Sequence, residues 1–368
     1  MDFRLTNEQN QLREAVRGYF ERNNDFASRT VTARSAEGWN ETLWHGLAQD
    51  TGITGAWIAD SAGGSGGTAV DMMVILEELG ASLLVEPFFE TAVIAAHILG
   101  ASRDRAAELN QAAAGTLRAG LAWAEPDRRF ARLPQETQAR RSETGWSLSG
   151  RKSVVSAAPM ATHLFVTALA DGEPALFLVD PARTGVSQGS YPTIDGRRAA
   201  DIDFTDVALS ADALLLTGAE AIEQMLDIAT AMLGAEALGV LRRMLEDTIA
   251  FTKDRRQFGQ PIASFQVLQH RMVDMYMHLE LTTSAVYRAI LSLGSAPAER
   301  ARAVSAMKVT LGDACRFIGQ NAIQLHGGMG MTDEVAVTHY FRRATVIETE
   351  FGSADFHRRR FADLSRAA

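Results

Sequence analysis

Residues 251–266, Phe251-Thr-Lys-Asp-Arg-Arg-Gln-Phe-Gly-Gln-Pro-Ile-Ala-Ser-Phe-Gln266, mark the point where one long helical pattern stops and another starts. Cations gather at the end of the first pattern and complement its dipole, Gly259 lets the chain turn, and Pro261 cannot continue a helix. Upstream, residues 226–251 keep apolar side chains at helical spacing. Downstream, residues 265–292 carry Leu268, Met272, Met275 and Leu279 on one face. Residues 298–325 and 334–361 repeat the pattern, so the stretch 214–368 reads as a C-terminal four-helix bundle with short links.

Ahead of the bundle the texture changes. Gly120-Leu-Ala-Trp-Ala-Glu-Pro126 is a short apolar run stopped by proline, residues 145–155 alternate like a hairpin, and residues 162–168 and 175–179 flank a turn at Asp171-Gly172. Residues 119–213 are therefore read as a middle β domain of barrel or sandwich type. Residues 1–118 read as an N-terminal helical domain. Thr6 and Gln9 form a capping box before Leu12, Val16 and Phe20, and further helices are expected near 40–50, 69–79 and 88–112. Between two of these, Ala62-Gly-Gly-Ser-Gly-Gly67 is either a plain connection or a loop able to approach a phosphate; no strand precedes it and the G-x-G-x-x-G spacing is absent. The fold class is α+β, with helices first, a β domain second and a bundle last.

A chain of 368 residues is too long for one compact core. The formal charge of −9 and a pI near 5.5 give no basic face for nucleic acid. The single cysteine, Cys315, precludes an intramolecular disulfide, fits a reducing cytoplasm and reads as a small apolar residue inside a helix. The start Met-Asp-Phe-Arg-Leu-Thr has no targeting pattern, and the apolar region 83–99 is interrupted by Glu86, Pro87 and Glu90, so no membrane span is read. His163, His270, His278, His326, His339 and His357 lack metal-ligand spacing, and His270 is expected to pack within its helix. The run Arg358-Arg-Arg360 reads as a solvated helix face.

The order of domains, together with Arg255-Arg-Gln-Phe-Gly259, Ser264-Phe-Gln-Val-Leu-Gln-His-Arg-Met-Val-Asp-Met275 and Gln324-Leu-His-Gly-Gly-Met-Gly-Met-Thr-Asp-Glu334, resembles the acyl-CoA dehydrogenases over essentially the whole chain. The last two segments and the N-terminus are similar to the small-subunit type represented by pimeloyl-CoA dehydrogenase. The resemblance implies FAD as cofactor, an acyl-CoA thioester as substrate, α,β-dehydrogenation as reaction and an electron-transfer flavoprotein as electron acceptor. Arg255 takes the place of the family arginine that pairs with the FAD pyrophosphate of a neighbouring subunit, a role suited to a permanently charged planar fork of donors. Phe258 is placed against the flavin nucleotide, and Gln266 at the next cofactor contact. Gln324, Gly327 and Gly328 resemble the segment that meets the same pyrophosphate and ribose from the opposite side, where glycine lets backbone N–H groups approach. Since the family builds this site from two chains, the resemblance implies a homodimer or a heterotetramer with a second acyl-CoA dehydrogenase subunit. Trp123 and Ser156 match flavin-facing positions, as does Ser353 in the Gly-Thr-like pair Gly352-Ser353. Plain structural roles for Trp123 and Ser156 remain open. Ala124 replaces the usual Thr or Ser, and the Gly-Ser-Asp that normally follows is missing from Asp127-Arg-Arg-Phe-Ala131.

The reaction needs a carboxylate to take the α-proton. One family position for it holds Phe351, and the other, counted back from Arg255, holds Ala229. Glu236 lies two turns away on nearly the same face, displaced by about 10 Å, whereas Asp227 is rotated by about 200°. Glu350 adjoins Phe351. Glu236 in its apolar surroundings needs a cationic partner, for which Arg242 and Arg243 are within loose reach. The catalytic residue is thus not assigned. Three readings follow: a subunit whose partner supplies the glutamate, a self-sufficient enzyme with a displaced acid, or a non-catalytic flavin- or acyl-CoA-binding scaffold.

Overall fold

The computed structural model describes residues 4–366, so Met1-Asp-Phe3 of the family-like N-terminus lies outside the described residues. Helix α1 (Asn7–Asn23) opens with the anticipated capping box, Gln9 N–H donating to Thr6 Oγ1 and Thr6 N–H to Gln9 Oε1. Then follow α2 (Phe26–Arg34), α3 (Glu41–Gln49) and α4 (Ala69–Ser82). The helix expected over 88–112 is interrupted. A π-helical turn at Phe89–Ala95 runs into α5 (Ala96–Ala101), Asp104 takes a left-handed φ of 56°, and α6 (Ala106–Ala113) starts afresh. An aspartate tolerates that backbone conformation, which no helix can pass through.

The middle region forms one eight-stranded sheet in the order β6-β7-β3-β2-β4-β5-β8, with β1 paired parallel to β4. The strands are β1 (Ala119–Ala122), β2 (Gln138–Ser142), β3 (Gly145–Ser156), β4 (His163–Ala170), β5 (Glu173–Val179), β6 (Val186–Pro192), β7 (Arg198–Ser210) and β8 (Leu214–Thr217). Residues 145–155 are not a hairpin but one long strand, whose hairpin partner is β2. The Asp171-Gly172 turn is where the sequence placed it, both residues having positive φ as a type I′ turn requires. Trp146 on β3 and Phe177 on β5 lie 5.4 Å apart, ring centroid to centroid. A flat sheet would hold β3 and β5 about 14 Å apart, three strand spacings, so the sheet curls over a single core.

The C-terminal helices are α7 (Ala219–Asp254), α8 (Gln266–Leu291), α9 (Pro297–His326), α10 (Ala336–Thr349) and α11 (Ala354–Arg366). Helix α7 is long and apolar enough to cross a membrane, but 94% of its apolar window is buried inside the protein. Between α7 and α8, β9 (Arg256–Gln257) and β10 (Gln260–Pro261) make a small hairpin around Phe258-Gly259, both with positive φ. The fourth helix expected over 334–361 is two helices. Phe351 (φ 58°) and Gly352 (φ 120°) break it, and a Cβ at Gly352 would stand 2.8 Å from His357 Nε2.

By its contacts the chain divides into two compact units, one of residues 1–29, 73–84 and 230–368, the other of residues 30–72 and 85–229. In the first, α8, α10 and α11 pack around α9. The backbones of α4 and α7 cross at glycines: a Cβ on Gly239 would meet Glu77 O at 1.8 Å, and one on Gly80 would meet Glu236 O at 2.0 Å. In the second, the sheet core holds Trp146, Leu148, Phe177, Ile202 and Phe204.

Candidate functional site

Within the first unit, the ends of α7 and α9 enclose a groove of about 520 Å³ lined by Arg255, Gln324, Gly327, Gly328, Phe251 and His326, among others. The two cofactor-like segments therefore line one groove of one chain. Their meeting follows from helix geometry, since Phe251 in the last turn of α7 stacks on His326 in the last turn of α9 at 4.3 Å. Arg255 is exposed, and its guanidinium makes no hydrogen bond or ion pair with any described residue. A guanidinium left unpaired in a concave site, facing two glycines whose added Cβ atoms would meet no protein atom within 4 Å, fits a diphosphate. Gly327 adopts φ 60° and ψ −138°, a conformation open in practice to glycine alone. Phe258 lies outside the lining, at the tip of the hairpin, 91% exposed with an edge-to-face contact to Phe265. Gln266 is exposed at the start of α8.

In the second unit, Ser153 N–H donates to Ala124 O, bringing the Trp123 segment alongside β3 and its terminal Ser156. Trp123 and Ser156 are both half-buried. Beneath them is a pair that sequence reasoning missed. Lys152, fully buried, donates to Glu125 Oε1 at 3.0 Å, Thr167 Oγ1 at 3.0 Å and Trp123 O at 3.3 Å. Glu125 also accepts the backbone N–H groups of Gln135, Glu136 and Thr137, each at 2.9 Å. Burial opposes its charge, but Lys152 and these amides outweigh it and hold the carboxyl down at about 2. Burial likewise brings Lys152 down to about 8. Lysine and glutamate far apart in sequence carry no local signal of such a pairing. The Ala62–Gly67 loop is a plain connection, because the N–H groups of Ser65, Gly66 and Gly67 bond to Gly55 O, Ile58 O and Ala56 O.

The acids weighed as bases are engaged. Glu236 is held bidentately by Arg343, at 2.7 and 3.0 Å, and neither Arg242 nor Arg243 is its partner; Arg243 pairs instead with Asp247. Arg343 is on α10 and reaches Glu236 only through the tertiary packing of α7 and α10. Arg343 also donates to Glu350 at 3.1 Å. Asp227 accepts from the buried Arg132 at 2.8 Å. Phe351 is buried, and its carbonyl lies 3.1 Å from His357 Nε2. Ser353 Oγ accepts Phe356 N–H, capping α11. Lys308, fully buried in α9, donates to Ile347 O at 2.5 Å and Glu348 O at 3.2 Å at the end of α10. Cys315 is buried as anticipated, its thiol pushed up to about 12 by burial. His270 is exposed rather than packed, being on the outer face of α8. Arg358 and Arg360 bond to Asp313 and Ser305.

The fold together with its matches to known families places the chain among flavin-dependent oxidoreductases of mixed helical and β architecture. The family models "Acyl-CoA dehydrogenase, N-terminal domain" and "Acyl-CoA dehydrogenase, C-terminal domain" match residues 6–110 and 217–364. The chain belongs to the acyl-CoA dehydrogenase family, and its cofactor is FAD. The acyl-CoA dehydrogenase IpdE2 of Mycolicibacterium smegmatis is 26% identical over 340 residues, covering 92% of this chain and 93% of the relative. The probable acyl-CoA dehydrogenase YngJ of Bacillus subtilis is 26% identical over 97% of this chain and 98% of its own length. Among solved structures, the Tcur3481-Tcur3483 steroid ACAD matches with a TM-score of 0.90 and 27% identity, over 98% of each chain. The ChsE4-ChsE5 complex from Mycobacterium tuberculosis, at 23% identity, shares the fold with a TM-score of 0.93 over both full chains.

Proposed function

We propose that this acyl-CoA dehydrogenase chain works as one subunit of a hetero-oligomer and that its partner supplies the carboxylate base. The observation that carries the reading is the pairing of Asp227, Glu236 and Glu350, the acids weighed as bases, beside Phe351 and Ala229 at the two family base positions themselves. A carboxylate bound bidentately to a buried guanidinium is a poor base, because accepting a proton would strand the cation. Bound FAD would supply the two-electron acceptor for the β-hydride of the thioester, while the α-proton goes to the carboxylate base. For this chain's own residues, Arg255, Gln324, Gly327 and Gly328 are assigned to the diphosphate, Trp123 and Ser156 to the flavin wall, and Phe258, Gln266 and Ser353 to outer contacts. Helix α8 supports an oligomer, since Val267, Val273, Met277 and Leu281 are each more than half exposed along it. Partners are a second acyl-CoA dehydrogenase subunit and an electron-transfer flavoprotein, in the cytoplasm. Steroid-CoA thioesters are the first substrates to try, given that the 27%-identical relative is a steroid ACAD.

The test is expression alone and together with a second acyl-CoA dehydrogenase subunit, with thioester-dependent flavin bleaching as readout. Full bleaching by the isolated chain refutes the proposal. A second reading, in which Glu350 is the base, draws on its single bond to Arg343 and a side chain 19% exposed. Under that reading Glu350→Gln abolishes bleaching in the isolated chain while FAD stays bound.

A further inference from the structure

His326 contributes to the groove through an atom that no other described residue uses. Its ring is fixed in place: it stacks on Phe251 at 4.3 Å and 23°, and only 7% of the residue is exposed. Nδ1 lies 2.8 Å from Ala322 O. A carbonyl can only accept, so Nδ1 carries the hydrogen in either protonation state and Nε2 is the titrating atom. Nε2 has no hydrogen-bond partner among the described residues, and the side chain lines the same groove as Arg255. Burial lowers the imidazole below its ordinary range, while the Ala322 carbonyl and Asp247 act the other way. The charged groups facing it are Asp247 and Arg255, both from the α7 side, and Asp247 is itself paired with Arg243. Gln257, Gln324 and Met329 around it are neutral.

We infer that His326 is a ligand-contacting residue of this groove, which takes up a proton when a nucleoside diphosphate binds and donates from Nε2 to a phosphate oxygen. The inference rests on the cofactor reading of the groove. Without ligand, a neutral Nε2 presents a lone pair that would repel a phosphate oxygen. With a diphosphate in place, the protonated form gains an opposite charge and a hydrogen-bond acceptor, which raises its pKa. Binding and protonation are then linked: over the window between the free and bound pKa values, affinity falls by up to about tenfold for each unit of rising pH. Arg255 supplies pH-independent attraction, and His326 adds the pH-dependent part.

The experiment is calorimetric titration of the flavin-free full chain with ADP at pH 7, in buffers of different ionisation enthalpy, whose slope counts protons taken up. Wild-type protein is expected to take up a substantial fraction of one proton, and His326→Gln, which keeps a polar side chain in place, to bind with several-fold lower affinity and no uptake. Nitrogen-15 NMR of the His326 ring should show Nδ1 protonated throughout and Nε2 gaining its proton on ADP addition. Binding without proton uptake, or uptake that persists in His326→Gln, overturns the role of His326 and leaves the groove's cofactor role standing. No ADP binding by either protein overturns both.

Discussion

Replacing Glu236 by Gln separates a structural strut from a base. Both side chains of the Glu236–Arg343 pair are 4% exposed, and the two bonds are 2.7 and 3.0 Å. Removing one partner of such a pair leaves a buried charge and costs about 3–5 kcal/mol. Glu350 still faces Arg343 at 3.1 Å, and Gln keeps one acceptor, so the loss belongs at the lower end, about 3 kcal/mol. Urea unfolding followed by circular dichroism measures it, with flavin bleaching per bound FAD recorded in the presence of the partner subunit. The expected result is a markedly lower urea midpoint and an unchanged bleaching rate in the folded fraction. Replacing both Glu236 and Arg343 by Met should recover much of the loss, because the only carboxylate that then loses Arg343 is Glu350, whose side chain is 19% exposed and still reaches water. Unchanged stability combined with abolished bleaching would refute the strut and make Glu236 the base.

Phe351→Glu places a carboxylate at a family base position on a turn already held by His357 and is expected to give the isolated chain thioester-dependent bleaching; continued inactivity in a folded, FAD-loaded variant counts against the vacancy argument. Arg255→Met removes a charge-assisted contact worth about 1.5–3 kcal/mol, so FAD retention in equilibrium dialysis should weaken roughly ten- to a hundred-fold, and unaltered retention would remove Arg255 from the site. Lys308 is depressed by burial from 10.5 to about 8, so the unfolded chain binds its proton more tightly and stability from this group rises as pH climbs from 8 to 10.5. Relative to Lys308→Met, wild-type stability should gain about 3 kcal/mol across that window; parallel pH curves would show that the lysine is not buried in solution.

The segments proposed to hold the cofactor were legible early because their parts are local. Arg255 with Gly259, and Gln324 with Gly327-Gly328, each combine a helix end and a turn within a few residues, where backbone preference and charge are written in adjacent positions. The four helical patterns from residue 226 onward were readable for the same reason, though the break at Phe351-Gly352 was not. A phenylalanine with positive φ violates local preference, and it is held there by His357 and by the close approach that only Gly352 permits. The long strand β3 was also misread, since alternation alone cannot distinguish one strand from two.

Which charges pair was out of reach. Arg242 and Arg243 were nearest to Glu236 in sequence, yet Arg343, more than a hundred positions away, is the partner; Lys152 on β3 likewise meets Glu125 in the loop after β1. Amino-acid order alone determined the family, the segments proposed to hold FAD and the absence of a carboxylate at positions 229 and 351, because these depend on residue identity and short spacing. The tertiary structure alone decided that the Arg255 guanidinium stands unpaired in a groove while Glu236, Glu350 and Asp227 are bound, because a buried ion pair depends on which helix faces pack together, and local sequence does not encode that.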